Sequence, residues 1–235
     1  MQRLRRKSTM NKVLVIAAHP DDELLGVGGT ILRHRATGDE VYSVILGEGQ
    51  TSRWNKREDA PTKIVDNLNR DSLAAAKILG MTKSYFANLP DNRFDHVDLL
   101  DVVKEIEKII AEVKPHIIYT HYQHDLNIDH RLTHAGVLTA TRPMADCCVK
   151  EIYSFETLSA SEWNFSDTNF HPNYYVDISG ELDKKIEAMN VYKSELREWP
   201  HPRSTEGIRI LSKLRGMQAG MNYAEAFEVV RMLKK

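Results

Sequence analysis

Val13–Ala18 reads VLVIAA, six apolar residues in a row with no polar alternation. A run this short, rich in β-branched residues, is expected to be a strand buried on both faces. Such a strand needs helices above and below it, which places it inside a parallel sheet. The rest of the first 150 residues repeats that logic. Glu40–Leu46, Ser84–Ala87 and His116–Thr120 read as further strands. Between them run helical patterns at Thr30–Thr37, Lys63–Leu79, Val97–Val113 and Asp129–Thr141. Gly38 and Gly80 close the first two of these, and Pro115 follows the third. The alternation predicts an α/β fold, a mostly parallel sheet with helices on both faces. Beyond residue 150 the pattern weakens into a C-terminal extension. Lys150–Phe155 and Tyr174–Ile178 are expected as strands, and Gly180–Lys193, Ser204–Leu214 and Tyr223–Leu233 as helices. No linker or repeat divides the chain, so residues 10–235 are read as one domain.

Composition narrows the class of function. A net charge of −1 argues against a nucleic-acid binder, and no stretch approaches the ~20 apolar residues of a membrane span. Residues 1–9, MQRLRRKST, hold four bases and no acid, and no apolar signal core follows. They are expected to form a disordered basic extension. The two cysteines, Cys147 and Cys148, are adjacent and build no disulfide framework, which suits the cytoplasm.

Two polar clusters follow expected strand ends, where open α/β sheets bind their ligands. The first is HPDDE, His19–Glu23; the second is THYQHDLNIDHRLTH, Thr120–His134. Three neighbouring carboxylates repel one another unless a cation joins them. His19 and Asp22 are three residues apart, so one turn aims both at one point. A third ligand from the second cluster would complete two histidines and a carboxylate, leaving an open position for water. Asp21 is then free to act as general base. The alternative is a solvated turn in which an Asp caps a helix. His121, His124 and His134 are read as structural neighbours rather than ligands, His116 as part of its strand, and His34 and His96 as surface residues. Gly26–Thr30, GVGGT, is no dinucleotide fingerprint; its glycines are expected to loosen the backbone so that a helix starts close to the site. The long polar loop Gly47–Ala60 is expected to border that site.

AHPDDE at Ala18–Glu23 followed by DLNIDH at Asp125–His130 resembles the PIG-L/LmbE-like family of zinc-dependent N-acetylglucosamine deacetylases. AAAKILG (Ala74–Gly80), ATRP (Ala140–Pro143), HPRS (His201–Ser204) and AEAFE (Ala224–Glu228) extend the likeness over most of the chain. The resemblance implies a Rossmann-like fold and removal of an acetyl group from a free or carrier-linked N-acetyl amino sugar. It places His19, Asp22 and His130 on the metal ligands and Asp21 on the general base. One zinc ion per chain is implied, and Fe2+ or Co2+ suits the same ligand set. Asn127 stands where many members carry a histidine, so its amide is left to donate to an oxyanion. Asp129 matches the orienting carboxylate, and His130 is the imidazole left for it to hold.

Substrate contacts are expected from Arg53 or Arg57 in the long loop, Asp91 in LPDNRFD, and His201 and Arg203 in WPHPRS. Arg142 is expected to pin loops through an ion pair. Trp163–Tyr175 interleaves aromatic and polar residues; a sugar platform, a packed loop and a subunit contact all suit it. A homo-oligomer is open. Competing functions are an iron oxygenase, an amidase acting on a thiol conjugate or another N-acyl substrate, and a catalytically weak carbohydrate-binding homologue.

Overall fold

A computed structural model describes residues 10–166 and 168–234; the basic extension at 1–9 lies outside them. In chain order the elements are β1 (Lys12–Ala17), α1 (Asp22–Ala36), β2 (Glu40–Gly47), α2 (Thr62–Leu79), β3 (Lys83–Leu89), α3 (Leu99–Val113) and β4 (Ile117–His121). Then come α4 (Ile128–Ala140), β5 (Glu151–Phe155), β6 (Tyr174–Asp177), α5 (Leu182–Met189), α6 (Thr205–Ala219) and β7 (Ala224–Met232). The strands form one sheet in the order β3-β2-β1-β4-β5-β7-β6. The first five run parallel. β7 pairs antiparallel with both β5 and β6. Alternation along β1 feeds two cores: Val13 and Val15 point into one apolar layer, Leu14 and Ile16 into the other. β1 lies inside the sheet between β2 and β4, as its unbroken apolar run demands.

Strand order reverses direction between β1 and β4, opening a crevice at their carboxyl ends. His19–Asp22 leaves the end of β1, and Asp125–His130 follows the end of β4. The two clusters separated by a hundred residues therefore face each other.

Three expectations change. α1 begins at Asp22 rather than Thr30, so the glycines lie inside the helix. Their role is close packing. A Cβ on Gly26 would lie 2.3 Å from the Phe155 ring, and one on Gly29 2.6 Å from Ile178. Glu225 accepts the N–H of Gly29 and Thr30, while Lys185 Nζ donates to the Leu25 carbonyl and to Glu225, a buried pair that grips the same turn. We expect Gly26→Ala to destabilise the protein by ~1–3 kcal/mol through overpacking. Thermal unfolding would show it as a Tm lower by roughly 2–12 °C. A Tm unchanged or raised by the better helix propensity of alanine would refute the crowding.

Tyr223–Leu233, expected as a helix, is strand β7. Its apolar residues satisfy both periods, and sheet pairing on both edges decides the outcome. The C-terminal extension is thus part of the central sheet. His34 also moves from the surface to a structured position, between Asp39 Oδ2 at 2.7 Å and the Tyr119 hydroxyl at 3.0 Å.

Candidate metal centre

The exit from β1 is a strained turn. Asp21 takes φ 100°, a left-handed conformation rare outside glycine, and precedes the first residue of α1. Its side chain makes no helix-capping bond. Asp21, Asp22 and Glu23 are only 2–4% exposed, so HPDDE is not a solvated capping turn. At the second crossing, Asn127 caps α4 by accepting the N–H of Asp129 at 2.8 Å. That cap sets His130 in the first turn of α4.

Three donor atoms converge. His19 Nδ1 lies 3.4 Å from Asp22 Oδ2, His130 Nε2 lies 3.2 Å from the same oxygen, and the two nitrogens are 3.3 Å apart. A tetrahedral ion with ligand bonds of ~2.0–2.1 Å has ligand–ligand edges of ~3.3–3.4 Å. The triangle has that size, with two imidazoles and one carboxylate, a donor set that suits zinc. The residues present therefore fit such an ion.

Surrounding carboxylates orient both imidazoles of the triangle. Asp129 Oδ2 lies 3.0 Å from His19 Nε2, which places the imidazole proton there and leaves the Nδ1 lone pair for the triangle. Asp91 Oδ1 approaches the same Nε2 at 3.4 Å. Asp125 Oδ1 is 3.1 Å from His130 Nδ1, a charge contact set off the line of a hydrogen bond. Asp129, expected beside His130, thus serves His19, and Asp125 takes the other place. The cause is positional: the Asp129 side chain points across the crevice, where its Oδ1 also accepts the Phe94 N–H. His121 Nε2 accepts the Ala18 N–H at 2.8 Å and so is unprotonated there, 3.4 Å from Asp22. Burial keeps His121 well below the usual imidazole range.

The electrostatics are those of a site built around positive charge. Burial alone would depress His130, but Asp22 and Asp125 outweigh it and hold its pKa at about 9. Burial is likewise overcome at His19 by Asp129 and Asp22, which raise it well above normal. At Asp22 burial pulls upward, and the neighbouring imidazoles, His130 foremost, draw the carboxyl well below its ordinary range. Asp21 behaves in the opposite way. Burial and then the charge of Asp22 push it well up, and Arg203 only partly opposes them.

A cavity of about 220 Å3 opens beside the triangle. Arg53, Asp91, Asn127, Glu195 and Arg203 line it with His19, Asp21, Asp22 and His130. Arg203 Nη1 sits 3.4 Å from Asp21 Oδ2 and 3.1 Å from Glu195 Oε2. Arg53 reaches Glu195 at 2.8 Å, tying the long loop to the C-terminal segment. Asn127 Nδ2 donates to Asn92 Oδ1 at 2.8 Å. Gly49, Gln50, Ser52 and Arg53 bring the 47–60 loop to the cavity wall.

Three expected contacts fall elsewhere. His201 stands outside the wall, its ring edge-on to Trp163 and its Nδ1 accepting the Arg203 N–H. Arg57 is held by Glu48 at 2.7 Å. Arg142 is exposed and forms no ion pair among the described residues, since no carboxylate comes within reach of it there. Glu23, unassigned by motif, accepts the Asp21 N–H at 3.1 Å and the Tyr192 hydroxyl at 2.6 Å. Burial raises it to about 7 against the Tyr192 bond. Glu195 and Gln50 carry no sequence signal, whereas Asp125 lies within DLNIDH and was open to notice.

Asp129→Asn is expected to weaken metal binding about 10–100-fold. The Phe94 N–H would claim the amide oxygen, turning the NH2 group toward His19 Nε2. His19 would then carry its proton on Nδ1, inside the triangle. Competition against a chelator measures the loss, and wild-type affinity would refute the tautomer assignment.

Fold and site together define an α/β protein with a buried, polar crevice at the switch point of its sheet. Residues 14–141, over half of the chain, match the family model PIG-L, described as GlcNAc-PI de-N-acetylase. The chain belongs to the PIG-L family. It is 27% identical over 240 residues to the diacetylchitobiose deacetylase of Thermococcus kodakarensis, covering 94% of this chain and 84% of that protein. It is also 25% identical to the 4-oxalmesaconate hydratase of Pseudomonas putida, covering 93% and 85%. The structure of N,N'-diacetylchitobiose deacetylase from Pyrococcus horikoshii shares the fold, with TM-score 0.75, 22% identity and coverage of 94% and 84%.

Proposed function

We propose that this protein is a zinc-dependent hydrolase that removes the acetyl group from an N-acetyl amino sugar. The observation that carries the reading is the His19–Asp22–His130 triangle with Asp21, a buried carboxylate that neither caps its helix nor joins the triangle. The Thermococcus relative named as a deacetylase supports the amide substrate. The hydratase among the relatives means that the reaction class rests on the site as well as on the family.

His19, Asp22 and His130 would hold the ion, which when bound polarises an acyl carbonyl and lowers the pKa of water toward ~7. Asp21 takes the proton from the attacking water as the oxygen–carbon bond forms. Its raised pKa, set by burial and Asp22, suits a group that must receive a proton. Asn127 lines the cavity with its amide and donates to the developing oxyanion. It carries no ionisable proton, so Asp21 returns its own to the amide nitrogen. The carbon–nitrogen bond breaks, and acetate and the free amine leave. Arg203 positions Asp21 and, with Arg53 and Asp91, offers donors and an acceptor to the sugar hydroxyls. Asp129 and Asp125 orient the two imidazoles.

The test is an acetate-release screen with metal-reconstituted protein over free, nucleotide-linked and polymeric N-acetyl sugars. At least one class should yield acetate and amine in equal amounts without oxygen consumption. Hydration of an unsaturated acid without acetate release from any N-acetyl substrate would overturn the reading.

A further inference from the structure

Asp21 is tied at both ends of its backbone. Its carbonyl accepts the N–H of Leu24 at 3.0 Å and of Leu25 at 2.8 Å, the bonds that open α1. Its own N–H donates to Glu23 Oε2 at 3.1 Å. In a reciprocal helix cap, an acid of the first turn takes the N–H of the capping residue while the capping side chain bonds the helix in return. Only the first half of that exchange exists here, because the Asp21 side chain caps nothing. Glu23 satisfies the backbone at the helix start and leaves the Asp21 carboxylate free in the cavity wall. A non-glycine residue at φ 100° persists only where its surroundings over-determine it. With carbonyl and N–H both held, φ cannot relax without breaking one set of bonds.

Glu23 is itself fixed. It is 3% exposed, and its Oε1 accepts the Tyr192 hydroxyl at 2.6 Å. Tyr192 is fully buried in the apolar cluster that it shares with Leu24 and Leu25 of α1. The Tyr192 carbonyl accepts the N–H of Glu195 at 2.9 Å. Glu195 holds Arg203, and Arg203 reaches back to Asp21 Oδ2. One turn, Tyr192–Glu195, therefore grips Asp21 twice: through its backbone by way of Glu23, and through its carboxylate by way of Arg203. We propose that Glu23, braced by Tyr192, is a positioning residue for proton transfer. It holds Asp21 in the left-handed conformation that sets its carboxylate beside the donor triangle rather than in it. The inference rests on the reading of Asp21 as general base and adds the group that aims it.

Crystal structures of Glu23→Ala and Glu23→Gln, and the kinetics of both with zinc loaded, test it. Alanine removes the acceptor, so Asp21 should leave the left-handed region. Glutamine turns its carbonyl to the Asp21 N–H and its NH2 to the Tyr192 oxygen, which accepts as well as donates, so Asp21 should stay. Glu23 bonds none of the three donor atoms, so zinc content should be full in both. In Glu23→Ala, kcat should fall roughly 5- to 150-fold, the scale of one strained backbone conformation, with KM little changed. Glu23→Gln should recover most of that loss. Added to Asp21→Asn, Glu23→Ala should cost nothing further, because no base is left to aim. Tyr192→Phe, which removes one hydroxyl and keeps the ring, should show the same split at smaller size, and it carries the test if Glu23→Ala does not fold. Asp21 still near φ 100° in Glu23→Ala, or wild-type kcat in Glu23→Ala or Tyr192→Phe, would overturn the proposal. So would loss of zinc, equal losses in the alanine and glutamine variants, or a full further loss on top of Asp21→Asn. The deacetylase reading fails separately, if wild-type protein releases no acetate; the two structures still decide whether Glu23 holds Asp21.

Discussion

Asp21→Asn should retain the metal and lose turnover by about 10²–10⁴-fold. The substitution preserves shape and removes only the capacity to accept a proton. Asp21 is outside the donor triangle, so the ion keeps all three ligands. Its side chain makes no helix-capping bond, and its contact with Arg203 is a loose 3.4 Å. Folding therefore loses little. Arg203 keeps Glu195 as partner at 3.1 Å, so the cavity wall should hold its form. Metal content by elemental analysis and kcat from acetate release are the two readouts. Full metal content with wild-type kcat would remove Asp21 as the base. Loss of metal together with activity would move it into the ligand set.

His130→Ala should abolish stoichiometric metal binding and reduce activity to background. Removing Nε2 leaves only His19 and Asp22, two donors 3.4 Å apart. Asp22 would also lose the neighbour that most lowers its pKa, so a proton would compete for the oxygen the ion needs. Asp125, 3.1 Å from the His130 ring in the wild type, would be left buried without its charged neighbour. His19→Ala should match the metal loss. Equilibrium dialysis against zinc measures both, and one equivalent retained by His130→Ala would place the ion elsewhere.

The parallel half of the sheet was legible because its evidence is local. Val13–Ala18 carries no polar residue, so only a central, doubly covered strand can use it. His19 and Asp22 were legible from spacing, since a three-residue offset brings both to one point. His130 needed the family resemblance: nothing in DLNIDHRLTH separates it from His134 by spacing alone. The structure separates them: His130 joins His19 and Asp22 in one triangle, whereas His134 lies outside it, its Nδ1 at 2.9 Å from the His121 carbonyl. The start of α1 was hidden by glycine's low helix propensity, which close packing against Phe155 and Ile178 overrides. β7 was hidden because Tyr223, Phe227 and Val230 also fit a helical face. Glu195 has no local signal at all. Its role comes from three side chains, Gln50, Arg53 and Arg203, that meet it only in the folded chain.

The most direct measurement is acetate release from an N-acetyl amino-sugar disaccharide as zinc is returned to chelator-stripped protein. Activity should be absent at the start, rise linearly and level off at one equivalent of zinc per chain. Full activity in the stripped protein, or a rise that continues well past one equivalent, would contradict a single catalytic ion held by His19, Asp22 and His130.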